Sequence, residues 1–203
     1  MYSVIKIVNN QKLGTQNKDI HQDVIQRCRE NDKDAQFEIY KFYFKTMFNT
    51  SLRILHNTTD AEDIMQDSFL DAFSKVSSYS GEGNFGGWLR RIVVNNSIDA
   101  LKRKHNDLSF DDVHMDIVEQ KETKTEDQDY KIEEIKKAIK NLKEDESVII
   151  SLFLIEGYDH EEISLILNIS YNNSRTRYSR ARKKLQKVLS DQRNLVMFHP
   201  NLN

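Results

Sequence analysis

Seven cations stand between residues 171 and 190: Arg175, Arg177, Arg180, Arg182, Lys183, Lys184 and Lys187. No acid stands among them. A helix carrying one sign of charge repels itself, so this chemistry calls for a polyanion rather than a small substrate. The residues that must position it lie just upstream, in GYDHEEISLILNIS. Asp159 has Glu162 three residues on, the spacing of a capping box with Asp in place of Ser or Thr. Ile163, Ile166 and Leu167 follow at the spacing of one helix face. Asn168, Ile169 and Ser170 make a short turn, and a second helix runs from about Tyr171. The pattern is a helix-turn-helix, in which the second helix lies in the major groove with its first turns against base edges.

Constellations for other chemistry do not form. No Ser/His/Asp or Cys/His arrangement is evident, and His160-Glu161-Glu162 is not the HExxH zinc pattern. Cys28 is the one cysteine, so neither an intramolecular disulfide nor a thiolate cluster is available. It reads as a small buried hydrophobe in a reducing compartment. The expectation is therefore a non-enzyme with no catalytic residue, no metal and no cofactor.

The chain has 203 residues, six glycines, and a single proline at position 200. Nothing interrupts helices over long stretches, so an all-α fold in two small helical domains is expected. Net charge is only −2, but it is sorted along the chain. Between residues 107 and 134 there are eleven acids against three bases, a net of −8. A tract so acidic and so poor in apolar residues reads as a flexible linker. As an alternative, its charge mimics nucleic acid in a partner's basic channel. The expected organisation is an N-terminal arm at 1–18, a first domain at 19–105, the acidic linker at 106–130, a second domain at 131–190 and a tail at 191–203. No stretch resembles a signal peptide or a membrane span, so a soluble cytoplasmic protein without membrane insertion is expected.

In the first domain, AQFEIYKFYFKTMFNTSLRIL forms a long helix whose aromatics Phe37, Tyr40, Phe42, Tyr43, Phe44 and Phe48 are expected in the core. Thr59 and Glu62 give a second capping-box signal, opening a helix with Ala61, Ile64, Met65, Phe69, Ala72 and Phe73 on one face. Asp60, Asp63, Gln66, Asp67 and Asp71 lie away from that face, and from spacing alone solvation is the favoured reading. The Gly-rich stretch SSYSGEGNFGG matches no phosphate-binding pattern. It leads into WLRRIVVNNSIDALKRKH, where cations and the amides of Asn95 and Asn96 share a polar side, and Trp88 reads as a core anchor. A loop before a basic, amide-bearing helix suits unstacked bases, since amides can read an edge while cations track phosphates.

Two motif blocks resemble one family, the group IV or extracytoplasmic-function (ECF) sigma factors of bacterial RNA polymerase. DAEDIMQDSFLDAF followed by NFGGWLRRIVVNNSIDALKRK is similar to sigma region 2. Residues 142–189, with GYDHEEIS and RTRYSRARKKL, are similar to sigma region 4. Together the blocks cover about two thirds of the chain, in order and joined by a linker. The resemblance implies a factor that binds core RNA polymerase and directs it to promoters. It implies that Asp63, Gln66 and Asp67 dock the β′ clamp helices, which replaces the solvated reading of that face. It implies that the loop with Ser80, Asn84 and Phe85 captures a flipped −10 base, and that Arg91, Asn95 and Asp99 contact −10 DNA. In region 4 it implies that Arg175, Thr176, Ser179 and Arg180 face the −35 major groove. Arg177, Arg182 and Lys183 are better read as phosphate contacts, which position without specifying sequence. The implied partners are core polymerase, including its β flap, promoter DNA and, commonly in this family, an anti-sigma factor.

Four positions depart from the family's pattern. Asn173 and Ser174 stand where Thr and Val are usual, and Ser174 is expected to weaken helix packing. Ser179 is smaller than usual, and Asp99 places negative charge near DNA. The alternative from residues 131–190 alone is a stand-alone helix-turn-helix regulator that binds operator DNA without polymerase.

Overall fold

The computed structural model describes residues 20–81, 83–107 and 127–198. Eight α-helices and no strand occur among them. The chain divides into two compact units, residues 1–117 and 118–203.

The first unit holds α1 (Ile20–Arg29), α2 (Lys33–Leu55), α3 (Thr58–Ser74), a 3-10 turn (Val76–Ser78) and α4 (Phe85–Asp107). Helices α2, α3 and α4 each pack on the other two, and α1 lies on α2. Asp32 starts α2 by accepting from the Asp34 and Ala35 amides. His56 stops it in the left-handed region at φ 55. The chain re-enters a helix at once, and the cap of α3 is Asn57, whose side chain accepts from the Asp60 amide at 3.0 Å. This corrects the capping box expected at Thr59. Asn is as good a cap as Thr, and Asn57 is the first residue free after α2 ends.

The core of this unit contains Ile39, Met47, Met65, Phe69, Leu89 and Val93. Cys28 is buried beside them, and burial pushes its thiol pKa upward. The aromatic expectation for α2 holds for only part of the set. Tyr43 is buried, and Tyr40 and Phe48 pack against the core, but Phe37, Phe42 and Phe44 are exposed. Aromatics in that run are too closely spaced for one helix face, so some must point outward. Between α2 and α4 the contact includes small polar residues beside the apolar ones. Ser97 Oγ lies 3.0 Å from Ser51 Oγ and donates to the Val93 carbonyl, with both serines fully buried.

The second unit holds α5 (Asp127–Lys140), α6 (Glu144–Ile150) continuing as a π-helical turn (Ser151–Ile155), α7 (His160–Leu167) and α8 (Tyr171–Phe198). Helices α5, α6 and α7 all pack on α8. Their core includes Val148, Ile149, Ile150, Leu152 and Ile163. Gly157, at φ +83, makes the turn before α7, a conformation that favours glycine. The capping box of α7 forms as the spacing predicts: Asp159 accepts from the Glu162 amide and Glu162 accepts from the Asp159 amide.

Most of the acidic tract, residues 108–126, lies outside the described residues, as do residues 1–19. Two boundaries differ from expectation. Helix α5 starts at Asp127, inside the tract expected as linker. Helix α8 continues to Phe198, through most of the segment expected as a tail.

Candidate nucleic-acid interface

Helix α8 separates two faces. Ser174, Tyr178, Ala181, Leu185 and Leu189 are buried, at spacings of three and four that keep one stripe against α5, α6 and α7. At 100° per residue the opposite side carries Thr176, Ser179, Arg180 and Lys183. Arg175 and Arg182 flank it on one edge, and Arg177 on the other. All seven are exposed. Thr176 Oγ1 donates to the Asn172 carbonyl, Arg177 Nε donates to Asn173 Oδ1, and the Arg175 guanidinium lies over the Tyr171 ring. Lys184 is turned back to an ion pair with Glu146 of α6. The start of α8 is set by Ser170, whose hydroxyl accepts from the Asn173 amide at 3.2 Å.

Ser174 does not weaken the packing in the way expected. Its side chain is fully buried, and its hydroxyl lies 3.1 Å from His160 Nδ1. A valine here would remove that imidazole nitrogen's partner across the helix pair. His160 is held below its ordinary pKa by burial first and by Arg175 second, with Asp159 opposing.

In the first unit a loop precedes α4. Gly81 and Gly83 sit at φ +81 and +79, with open space where a side chain would project. The Tyr79 hydroxyl donates to the Gly83 carbonyl at 3.0 Å, closing the loop, and Arg29 donates to the Tyr79 carbonyl. Ser80 is exposed. Asn84 is exposed, but its Oδ1 accepts from the Gly86 amide at 2.8 Å and its carbonyl accepts from the Trp88 amide. Its side-chain oxygen thus caps α4. Phe85 is a correction. It is only 4% exposed and packs on Tyr79 and Trp88 at 5.3 Å each, so its ring shapes the loop and has no open face for a base. Trp88 joins that cluster half-buried, as expected of an anchor.

Along α4, Arg91, Asn95 and Asp99 are exposed at successive steps of four, forming one stripe. Lys102 Nζ lies 3.9 Å from Asp99 and partly offsets its negative charge. Asn96 is instead structural: its side-chain amide donates to Ser68 Oγ and Asp71 Oδ2, both at 3.1 Å, tying α4 to α3.

The acidic face of α3 divides in the same way. Asp60 pairs with Lys104 at 3.0 Å, and Asp71 meets Asn96 and Lys75. Asp63, Gln66 and Asp67 are exposed. Neither carboxylate has an ion pair among the described residues. Leu70, missed from the sequence, completes their face one turn on, with 69% exposure. An apolar residue spaced to share a stripe with three polar ones was the available signal. Among the described residues no cluster of three or more His, Cys, Asp or Glu side chains could hold a metal ion. No helix there is long and apolar enough to cross a membrane.

Two family models match this chain. Residues 39–106 match Sigma-70 region 2, and residues 132–185 match Sigma-70, region 4. The ECF RNA polymerase sigma factor SigW of Bacillus subtilis (strain 168) is 30% identical over 179 residues, covering 82% of this chain and 95% of that protein. The chain is an ECF sigma factor. It belongs to a class of non-catalytic transcription initiation factors whose region 4 binds DNA. The ECF RNA polymerase sigma-E factor of Haemophilus influenzae is 27% identical, covering 81% of this sigma factor and 93% of its relative. The fold is also that of the sigma factor RpoE from Bartonella quintana, solved in complex with the anti-sigma factor NepR. That chain shows a TM-score of 0.58 at 24% identity, over 78% of this sigma factor and 98% of the other chain.

Proposed function

We propose that this sigma factor works through three surfaces. The face of Asp63, Gln66, Asp67 and Leu70 docks the β′ clamp helices of core RNA polymerase. An exposed apolar residue beside acidic ones gives the face area to bury and charge to steer a partner. The Tyr79–Gly83 loop, with Ser80 and the Asn84 amide, encloses an unstacked −10 base, while Arg91, Asn95 and Asp99 contact the adjoining strand. Helix α8 enters the −35 major groove. There Arg175, Thr176, Ser179 and Arg180 face base edges, and Arg177, Arg182 and Lys183 meet phosphates.

Core polymerase uses binding energy to hold the two modules on one promoter, so melting of −10 needs no ATP. The second unit engages the β flap, and an anti-sigma factor is the expected regulator by family resemblance. The site of action is the cytoplasm, with the polymerase.

The observation that carries the reading is α8, whose buried stripe leaves an outward surface that is cationic and free of acids from Tyr171 to Ser190. The test is in vitro transcription from genomic fragments with core polymerase, with and without this protein. Discrete new starts that require both components, with shared −35 and −10 sequences upstream, support the proposal. No promoter-dependent product, together with no co-purification with core, would favour a stand-alone operator-binding regulator.

A further inference from the structure

Tyr171 opens α8 with 46% of its surface exposed. The guanidinium carbon of Arg175, one turn on, lies over its ring at 5.8 Å from the centroid. The ring also meets His160 edge-on at 6.3 Å. His160 is itself fixed. Its Nδ1 meets Ser174 Oγ, its ring stacks on Phe153 at 4.7 Å, and it meets Tyr178 edge-on at 5.4 Å. Phe153 and Tyr178 close the group at 4.3 Å. A run of rings therefore leads from the interior of the second unit to the one arginine in the first two turns of α8 that lies over an aromatic ring. Arg177, on the opposite edge, donates instead to the side-chain oxygen of Asn173.

An arginine reads guanine through two parallel hydrogen bonds to O6 and N7, which demand a set plane for the guanidinium. A free arginine side chain spans many rotamers and loses that freedom on docking. A cation held over a ring has fewer orientations to lose.

We propose that Tyr171 is a positioning residue for promoter specificity: its ring holds the Arg175 guanidinium for reading a guanine in the −35 element. The inference rests on the proposed entry of α8 into the −35 groove. The π face of the ring carries the effect, and the hydroxyl is dispensable.

The test uses the full-length chain with core polymerase, and a promoter panel with all four bases at each −35 position, at two salt concentrations. The wild type should prefer guanine at one position, and Arg175→Ala should abolish that preference. Tyr171→Phe should keep it. Tyr171→Ala should lower discrimination at the same position by about two- to tenfold, the range of an exposed to partly desolvated cation–π contact. Tyr171→Leu, which keeps apolar bulk without a π face, should behave like the alanine variant. The salt slope should match wild type in all three, since no phosphate contact is removed; melting should stay near wild type in Tyr171→Phe and Tyr171→Leu, which keep apolar cover over His160, and fall modestly in Tyr171→Ala. Unchanged discrimination in Tyr171→Ala, with collapse in Arg175→Ala, would overturn the positioning role alone. Equal loss in Tyr171→Phe and Tyr171→Ala would assign the effect to the hydroxyl and also overturn it. No effect of Arg175→Ala at any position would instead remove the groove reading on which it rests.

Discussion

Replacing Leu70 by alanine tests the proposed polymerase-docking face separately from the fold. The side chain is 69% exposed, on the stripe with Asp63, Gln66 and Asp67. Full burial of a leucine side chain contributes about 1.5–3 kcal/mol. Roughly two thirds of that remains to be gained when a partner covers it. Allowing for the methyl that alanine keeps, the loss on docking is about 0.7–1.5 kcal/mol, a ~3- to 13-fold weaker Kd for core polymerase. The protein itself should be no less stable. Little packing is removed, and alanine is a slightly better helix former than leucine. The assay is direct titration of labelled protein with core polymerase, alongside thermal melting. The loss should persist as salt rises, because it is apolar. Asp63→Asn and Asp67→Asn should instead lower the association rate, with an effect that fades at high salt. An unchanged Kd for Leu70→Ala, at wild-type melting temperature, would refute the docking face.

Other perturbations probe the elements that hold the sites. Asp159→Ala removes the reciprocal cap of α7 and should destabilise the second unit by about 1 kcal/mol, seen in chemical denaturation with wild-type binding to core polymerase. Gly86→Ala would place a methyl 2.8 Å from Tyr43 Cε1; overpacking of about 1–3 kcal/mol should appear as a lower melting temperature of the first unit. The second unit should also lose stability in mild acid. His160 sits below the ordinary imidazole value of 6.5, so its unfolded form takes up the proton first. The stability it confers is therefore complete above that value. It falls as pH drops through it, and levels off once the folded form protonates too. Melting curves across that range should show the slope in wild type and not in His160→Gln.

The all-α fold, the order of the two motif blocks and the cationic face of α8 were legible in the sequence. They rest on local quantities: helical periodicity, capping spacing and charge sorted along the chain. Asp159 and Glu162 form their box because both partners lie within one turn. What the sequence left open depends on neighbours far along the chain. Asp60, Asp63, Asp67 and Asp71 look alike in the sequence. Only the packing of α4 on α3 brings Lys104 to Asp60 and Asn96 to Asp71, leaving Asp63 and Asp67 outward beside Leu70. Phe85 reads as a loop aromatic until Tyr43, Tyr79 and Trp88 surround it. Asn57, rather than Thr59, caps α3 because α2 happens to end at Leu55. Ser174 looks like a packing defect until His160, fourteen residues earlier, is found within hydrogen-bond reach. Local patterns fix which helices form and which carry charge. Which of their polar groups are consumed in holding the fold, and which stay free for a partner, is set by the long-range contacts that only tertiary packing creates.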